Sequence, residues 1–244
     1  MRVVSWNCRS GTNAKLGVAI ERLDPDVLVM PESSMSPTLV AETLLSPGVP
    51  HAWAGSISSK GLGIFAPKAD RLQVIPTGSG AGEWSLAVRV QEEDPVTVVG
   101  VWTVPGGTGR WRSPYLRSLD GIFSRHGSVL DLGDVVVAGD FNCSGVADGG
   151  QLGELLGAVL DRYGLVSAYH RWSGEAVGEE TQMTHWWQGH EDRGFHIDYV
   201  LVPESWTIRR VSIGSYDDWG APGAPTRSDH GPLVVDISRT ASSR

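Results

Sequence analysis

The chain has 244 residues and a net charge of −8, and 41% of its residues are hydrophobic and 20% charged, as in ordinary globular proteins. The acidic balance argues against a broad basic face that tracks nucleic acid, but it permits a compact site where metal ions offset negative charge. Two cysteines are too few for a disulfide framework or a zinc site. The sequence begins with a strand pattern and contains no apolar run of membrane-spanning length, so we expect a cytoplasmic protein.

The N-terminal segment predicts two parallel strands joined by a helix. Arg2–Asn7 alternates like a β-strand, Ala14–Leu23 carries apolar residues at helical spacing, and Asp26–Met30 is a continuous apolar strand. Asp24-Pro25 ends the helix. A strand, a helix and a strand of these lengths are typical of a parallel crossover unit.

The middle of the chain predicts antiparallel hairpins. After a short helix at Thr38–Leu45, short β segments are separated by Gly, Pro and Ser. These segments are His51–Gly55, Gly61–Ala66, Arg71–Pro76, Glu83–Val90 and Val96–Thr103. A helix over Arg112–Phe123 then precedes an apolar strand at Val135–Gly139.

The last third predicts one helix, Leu152–Leu160, and four closing strands. The strands are Thr181–Trp187, Phe195–Val202, Thr207–Ser215 and Gly231–Ile237. No repeat, charge run or low-complexity linker divides the sequence. We therefore expect one domain over residues 1–238 and a polar tail over 239–244.

Polar residues end or interrupt these strands in five places. Asp140 and Asn142 directly follow a buried strand, and residues two apart in an extended chain point to the same face. A carboxylate and a carboxamide placed together can hold a metal, or a water and the group it attacks, although each such segment alone could be an ordinary turn. The segments are Ser5-Trp6-Asn7, Met30-Pro31-Glu32, Gly139-Asp140-Phe141-Asn142, His196-Ile197-Asp198-Tyr199 and Ser228-Asp229-His230-Gly231-Pro232.

In this order the segments resemble the endonuclease/exonuclease/phosphatase superfamily, which includes the pancreatic-type deoxyribonucleases and exonuclease III-like apurinic endonucleases. The resemblance runs from Arg2 to Ile237, and its most specific pieces are SWN, the Glu32 segment, GDFN, HIDYVLV and SDHGP. It implies a four-layer α/β sandwich, with two mixed sheets face to face, helices outside and the site at one end of the sheets. It also implies a phosphoesterase that depends on Mg²⁺ or Mn²⁺.

The resemblance implies a metal side of the site. A hard divalent cation prefers oxygen ligands, so Glu32 is the leading metal-ligand candidate. Asn7 would help to organise the same metal edge, and Asp229 is a second carboxylate candidate on that side.

The resemblance also implies a set of residues for the reaction itself. Asp140 would orient or deprotonate the attacking water, and Asn142 would hold that water or a phosphate oxygen. His230 would donate a hydrogen bond to the phosphate. Asp198 would hold the His230 ring and favour its charged form, because a nearby carboxylate raises the pKa of a histidine.

One position departs from the family pattern. Where family members usually carry a His or Tyr, at the end of the mid-chain strand, this sequence has Trp102 and Thr103. Neither side chain can act as a general acid near neutral pH, although Thr103 can hydrogen-bond and Trp102 can stack or donate from its indole. Three interpretations stay open: the chemistry proceeds without that group, another residue such as His185 supplies it, or the protein has weak or no activity.

The sequence does not name the substrate. Arg112 is a candidate phosphate contact, and Trp111, Trp187 and Trp219 are candidates for stacking on bases. Three hypotheses follow: a phosphodiesterase acting on DNA or RNA, the same chemistry on a small phosphorylated molecule, or a binding module that kept the fold without catalysis. The acidic charge balance and the short chain favour the second somewhat over the first.

Overall fold

A computed structural model describes residues 1–10, 12–34, 48–57, 59–77, 84–92, 94–224 and 226–239. The strands, numbered along the chain, are β1 (Arg2–Ser5), β2 (Val27–Ser33), β3 (His51–Ile57), β4 (Lys60–Phe65), β5 (Arg71–Val74), β6 (Ser85–Gln91), β7 (Val96–Trp102), β8 (Val135–Asp140), β9 (Leu165–Ser167), β10 (His185–Trp186), β11 (Gly194–Phe195), β12 (Asp198–Pro203), β13 (Thr207–Ile213) and β14 (Leu233–Ser238). The α-helices are α1 (Thr12–Leu23), α2 (Pro114–Arg125), α3 (Gly127–Leu130), α4 (Gln151–Tyr163), α5 (Ala168–Ser173) and α6 (Tyr216–Trp219). The helix predicted at Thr38–Leu45 lies outside the described residues.

The first sheet has six strands in the order β13-β14-β1-β2-β4-β3. β1 and β2 pair in parallel and are connected by α1, so the predicted crossover unit is confirmed. The remaining neighbours in this sheet pair antiparallel. The sheet contains both parallel and antiparallel pairs because its strands are connected in different ways. A parallel pair needs a crossover connection, whereas two residues are enough to join the antiparallel strands β3 and β4.

The second sheet also has six strands, in the order β5-β6-β7-β8-β12-β9. β7 and β8 are parallel, with α2 and α3 between them in the chain, and the other neighbours are antiparallel. The hairpins predicted in the middle of the chain are present as β3–β4 and β5–β6–β7, one group in each sheet.

The two sheets pack face to face, and helices cover their outer faces. Valine, isoleucine and leucine side chains from both sheets form the central core, while α2 and α4 pack on the outside of the second sheet and α1 on the outside of the first. This is the four-layer α/β sandwich expected from the resemblance. Strands such as β7 and β8 are buried along their whole length, which is why they read as continuous apolar runs. Across the described ranges, no helix combines the length and the apolar character that crossing a membrane would require.

Gly139 permits the close approach of β8 to β7 beside the site. It has a φ of +149°, and a Cβ atom at this position would lie 1.8 Å from the carbonyl oxygen of Val101 on the paired strand. Any side chain would therefore push the two parallel strands apart. The glycine before Asp140 is thus a requirement of the backbone.

The region before the third closing strand differs from the prediction. The strand expected at Thr181–Trp187 is only the two-residue β10, and the one expected at Phe195–Val202 divides into β11 and β12. The hydroxyl oxygen of Thr184 accepts hydrogen bonds from the backbone N–H groups of Ile197 and Asp198. These N–H groups therefore bond to a side chain and not to the backbone of a neighbouring strand, as they would in a longer strand pair. The sequence pattern also missed the short elements β9 and α5.

Candidate active site

The predicted polar segments meet at one edge of the two sheets. β1 and β2 are parallel, so Asn7, just after β1, and Glu32, near the end of β2, lie at the same edge. β14 runs antiparallel to β1, which brings the preceding His230 to that edge as well. In the second sheet Asp140 ends β8 and pairs in register with Asp198 at the start of β12. Side chains from both sheets therefore converge.

Asp140 lies at the centre of this group and is 1% exposed. Its Oδ2 accepts hydrogen bonds from Asn7 Nδ2 and from Asn142 Nδ2, each at 2.9 Å, and its Oδ1 accepts the backbone N–H of Asn142 at 2.8 Å. Asn142 has a φ of +47°, a conformation that asparagine tolerates better than most residues. Its amide also donates to the carbonyl of Thr103 at 3.0 Å, so the residues that orient the carboxylate are themselves fixed.

His230 faces Asp140 from the other sheet and is held by Asp198. His230 Nδ1 lies 2.8 Å from Asp198 Oδ2, and both side chains are buried. His230 Nε2 lies 3.9 Å from Asp140 Oδ2, which is too far for a direct hydrogen bond. The histidine and the aspartate therefore flank a gap that a third polar group can bridge.

The SDH segment is fastened to the end of β1. Ser228 donates its hydroxyl hydrogen to the carbonyl of Asn7 at 2.7 Å and accepts the backbone N–H of His230. The indole of Trp6 donates to the carbonyl of His230 at 3.0 Å. The SWN and SDH segments, over 220 residues apart in the sequence, thus fix each other's backbone.

Burial and charge act in opposite directions on the pKa values of the two buried groups. Burial lowers the pKa of His230, but the charge and the hydrogen bond of Asp198 outweigh it and raise that pKa to about 9. Burial raises the pKa of Asp140 to about 7, although the charge of His230 opposes the rise. At neutral pH His230 is therefore cationic, and Asp140 has the proton affinity of an effective base.

Glu32 forms the outer part of the site. A β-bulge between Pro31 and Ser33 takes it out of the ladder at a φ of +58°, and its Oε1 lies 3.4 Å from Asn7 Nδ2. Lys60 Nζ lies 2.7 Å from Glu32 Oε2. Such a backbone conformation is costly for glutamate and persists only where the surroundings enforce it.

The oxygen donors at this edge fit a hard divalent cation. Glu32 offers a carboxylate 18% exposed, and Asp140 lies on the other side of Asn7. Within the described ranges no three His, Cys, Asp or Glu side chains form a metal cage, but Mg²⁺ is usually bound through one or two carboxylates and keeps several waters. Asn7 directs its Nδ2, not its oxygen, at both carboxylates, since Oδ1 accepts the N–H of Arg9.

Comparison with known proteins agrees with this arrangement. The family model described as Endonuclease/Exonuclease/phosphatase family matches residues 4–230. The chain belongs to the Endonuclease/Exonuclease/phosphatase family. The match begins within β1 and ends at His230, so it includes Asn7, Glu32, Asp140, Asp198 and His230. No match is found among curated protein sequences.

Several solved structures have the same fold. A 3′-5′ exonuclease (NExo) from Neisseria meningitidis is 21% identical with a TM-score of 0.69, and the alignment covers 97% of this chain and 99% of that one. A 3′ phosphatase NExo from Neisseria bound to a product DNA hairpin is 20% identical with a TM-score of 0.70, covering 98% and 99%. An AP endonuclease from Archaeoglobus fulgidus is 16% identical with a TM-score of 0.69, covering 97% and 99%. Similarity at these identities shows the fold alone.

Trp102 and Thr103 occupy the position where the family resemblance implies a His or Tyr, and both are buried. Trp102 packs edge-on against Trp84, with ring centroids 4.8 Å apart. The hydroxyl of Thr103 donates to the carbonyl of Phe141, which ties the end of β7 to the loop after β8. Thr103 therefore has a structural contact there, and Trp102 presents an aromatic ring in place of an acid.

His185 is the side chain closest in type to the missing group, and it contacts His230. The ring centroids of the two histidines are 4.6 Å apart, and their residues form an isolated antiparallel bridge. Burial and the charge of His230 lower the pKa of His185 to about 4, so it is neutral at physiological pH. A neutral imidazole there can exchange hydrogen bonds but brings no positive charge.

The aromatic candidates for substrate stacking divide by exposure. Trp187, in a 3₁₀ turn after β10, is 48% exposed, and Arg193 lies 5.7 Å above its ring. Trp219 is 3% exposed and packs against Trp6 under α1, and Trp111 is 4% exposed and donates to Asp120. Stacking of substrate on Trp219 or Trp111 stays a prediction, but both rings are buried in this conformation by packing from distant segments, which the local sequence of a loop does not reveal.

The remaining predicted residues lie at the rim. Asp229 pairs with Arg9 at 3.5 Å and, among the described residues, is not hydrogen-bonded to Glu32 or Asp140. Arg112 is exposed, and its backbone N–H donates to Gln151 at the start of α4. Both side chains are accessible, but neither belongs to the buried hydrogen-bond network.

Two residues that contribute to the site, Lys60 and Thr184, were not identified from the sequence. Lys60 contacts Glu32 although it lies in a stretch without any recognisable motif, and its only sequence signal is that the chain has just three lysines. Thr184 fixes the backbone at the start of β12, next to Asp198. Both act through hairpins whose register the sequence does not specify.

Proposed function

We propose that this protein is a divalent-metal-dependent phosphoesterase that hydrolyses a phosphodiester, with nuclease-like specificity. The observation that carries the proposal is the buried pair across the gap: Asp140, oriented by Asn7 and Asn142, faces a His230 whose charge Asp198 maintains. A base and a cation with this spacing suit attack of a water on a phosphate ester. Because both sheets contribute, we infer that residues 1–238 act as one catalytic domain.

In this mechanism His230 is the hydrogen-bond donor to a non-bridging phosphate oxygen. Its proton affinity keeps Nε2 protonated at neutral pH, and the hydrogen bond of Nδ1 to Asp198 orients the ring before the substrate binds, which favours stabilisation without reorganisation. Asp140 orients the attacking water and accepts its proton, while Asn142 directs the carboxylate. The second oxygen of Asp198 is buried without a hydrogen-bond partner among the described residues, which concentrates that carboxylate's charge on the histidine.

The metal would be held at Glu32, with Asn7 and Asp229 on the same side. When bound, a divalent cation neutralises phosphate oxygens and supports the departing oxygen. For Asn7 to supply oxygen rather than nitrogen, its amide must turn over and release the N–H of Arg9. Asp229 must likewise exchange its ion pair with Arg9 for the cation.

A cleft beside the site favours a substrate that carries nucleotides. It has a volume of about 460 Å³, and the residues that line it include Trp84, Arg117 and Arg125. Trp84 contacts Trp102, so the cleft adjoins the ring beside Lys60. An aromatic wall for a base and cations for a phosphate are the features that bind single-stranded nucleic acid. The 3′ phosphatase NExo from Neisseria, which has the same fold, binds a product DNA hairpin, and this supports nucleic acid as the substrate class.

A small phosphorylated molecule is the second candidate substrate. Its support is the net charge of −8, which gives long nucleic acid little general attraction. A protein with the fold but without catalysis is the weakest alternative, because the buried network of Asp140, Asp198 and His230 has no evident structural need for so many polar groups in the interior.

A substrate panel tests the proposal. The purified chain is incubated with Mg²⁺, Mn²⁺ or EDTA and offered a 3′-phosphorylated oligonucleotide, an abasic-site duplex, a plasmid and a chromogenic phosphate ester. His230→Asn, purified in parallel, controls for contaminating nuclease. We expect metal-dependent cleavage of at least one nucleic acid, weakened steeply by salt. Cleavage of the ester and of small phosphates alone supports the second candidate, and no metal-dependent hydrolysis contradicts both.

A further inference from the structure

The ammonium group of Lys60 lies next to the carboxylate of Glu32, the residue proposed to bind the metal. Its Nζ lies 2.7 Å from Glu32 Oε2, and 5.6 Å from the centroid of the Trp102 ring. The lysine side chain is 40% exposed, while the glutamate is 18% exposed. In this structure, therefore, the Glu32 carboxylate already forms an ion pair with Lys60.

The backbone fixes this contact. Lys60 begins β4, and β4 pairs antiparallel with β2 up to the pair of Ser33 and Gly61. The bulge between Pro31 and Ser33 turns Glu32 out of the ladder, toward the lysine at the start of the neighbouring strand. The ion pair is thus a consequence of sheet register, not a chance meeting of two flexible surface side chains.

Trp102 gives the ammonium a second partner. The ring is 6% exposed and held edge-on by Trp84, so its position is fixed. An ammonium near an aromatic face is attracted by the ring's quadrupole. Trp102 stands where the family resemblance implies a His or Tyr, so a lysine beside the ring brings a charged donor to a position that otherwise lacks one.

We propose that Lys60 competes with the divalent cation for Glu32, and that its ammonium, once displaced, binds a phosphate oxygen of the substrate. This inference rests on the proposed function. A carboxylate shared by a divalent cation and an ammonium binds each of them less tightly than it would bind either alone, because the two cations repel each other. The lysine stem is long and flexible, so its head can leave Glu32 while it stays beside Trp102.

Metal affinity in the absence of any substrate tests the first half. Calorimetric titration of Mn²⁺ into Lys60→Met is expected to give a Kd about 3- to 10-fold tighter than in the wild-type protein, since one competing ion pair is gone. Lys60→Arg keeps a cation and is expected to stay close to the wild type. Lys68→Met is the matched control, because Lys68 is similarly exposed and pairs with Asp24 and Asp26.

Phosphate affinity tests the second half. With Mn²⁺ saturating, inorganic phosphate is expected to bind Lys60→Met at least about 5-fold more weakly than the wild type or Lys68→Met. Unchanged Mn²⁺ affinity in Lys60→Met would overturn the competition, and unchanged phosphate affinity would overturn the role of the released ammonium.

The Glu32→Gln variant separates this proposal from the function on which it rests. If Glu32→Gln loses Mn²⁺ affinity while Lys60→Met behaves like the wild type, the metal site stands and the inference about Lys60 fails. If Glu32→Gln binds Mn²⁺ as tightly as the wild type does, the metal site and the inference fail together.

Discussion

The Asp198–His230 pair carries the electrostatics of the site at the residue scale. Asp198 is 0% exposed, and its hydrogen bond at 2.8 Å keeps His230 charged against a strong desolvation penalty. Its role is therefore to set the protonation and orientation of the histidine. Glu32 and Asn142, both at positive φ, show that the surrounding structure also enforces costly backbone conformations here.

Replacing Asp198 by asparagine should lower the pKa of His230. In Asp198→Asn we expect this pKa to fall from about 9 toward its ordinary 6.5, because burial is then opposed only by the smaller contributions of Asp140 and Asp229. Turnover should fall about 10²- to 10⁴-fold. The pKa is measured by NMR titration of the imidazole and turnover by the assay that reports metal-dependent hydrolysis. A His230 pKa that stays near 9 in this variant would remove Asp198 from the role.

β8 determines the geometry of the site at the element scale, because it delivers Asp140 to the edge. Its approach to β7 depends on Gly139, where a Cβ would meet a carbonyl oxygen 1.8 Å away. We expect Gly139→Ala to lower the free energy of unfolding by more than about 3 kcal/mol. Urea titration monitored by tryptophan fluorescence measures the loss.

Gly157→Ala is the control for that substitution. Gly157 lies inside α4, and a Cβ atom added there would have no neighbouring atom within 4 Å. Alanine should therefore stabilise the protein by about 0.5–1 kcal/mol through helix propensity. If Gly139→Ala and Gly157→Ala changed stability alike, the close approach of the two strands would not be a constraint.

The cleft beside α2 can be filled without disturbing the helix. Gly121 lines it, and nothing lies within 4 Å of a side chain's first carbon there. We expect Gly121→Phe to raise KM for an oligonucleotide about 5- to 10-fold and to leave hydrolysis of a chromogenic ester unchanged. Gly157→Phe, a matched change in α4, should alter neither. An equal KM in Gly121→Phe would exclude the cleft as a nucleotide subsite.

At the scale of the whole molecule, the sequence predicted most of what apolar pattern and short motifs encode. The parallel unit around α1, the hairpins and the apolar strand before Asp140 follow from local periodicity and turn residues. The layer order and the meeting of the five segments came from resemblance, since no local pattern specifies which strands pair across the chain. Lys60 and the buried position of Trp219 depend on such long-range packing, and the sequence indicated neither for that reason.

The stability that His126 contributes should be lost in acid. Burial, with a smaller contribution from the charge of Arg125, lowers the pKa of His126 to about 4, against an ordinary 6.5. Between these values the unfolded chain binds a proton that the folded chain does not, so the stability present above pH 6.5 is lost as the pH falls toward 4. Buried His185, also at about 4, acts in the same direction, whereas Asp140, whose pKa of about 7 lies above its ordinary 3.8, acts in the opposite direction.

We therefore expect His126→Gln to flatten the decline of stability between pH 6.5 and 4 by up to about 3 kcal/mol. Glutamine can keep the hydrogen bond that His126 makes with Ser85. The measurement is the free energy of unfolding in urea at a series of pH values, with His51→Gln as an exposed control. Parallel curves for the wild type and His126→Gln would contradict the assignment.

The central claim is that Asp140 accepts the proton of the attacking water in a metal-dependent phosphoester hydrolysis. The most direct measurement compares Mn²⁺-dependent hydrolysis of an oligonucleotide by the wild type and by Asp140→Asn, alongside their urea unfolding curves. Asparagine preserves the size of this buried side chain but cannot take up a proton, and its Nδ2 must face at least one of the N–H groups that now donate to Asp140. We predict a loss of turnover of about 10³-fold or more, with a loss of unfolding free energy of at most about 3 kcal/mol from the mismatched hydrogen bond. Turnover within about tenfold of the wild type in a stably folded Asp140→Asn would contradict the account.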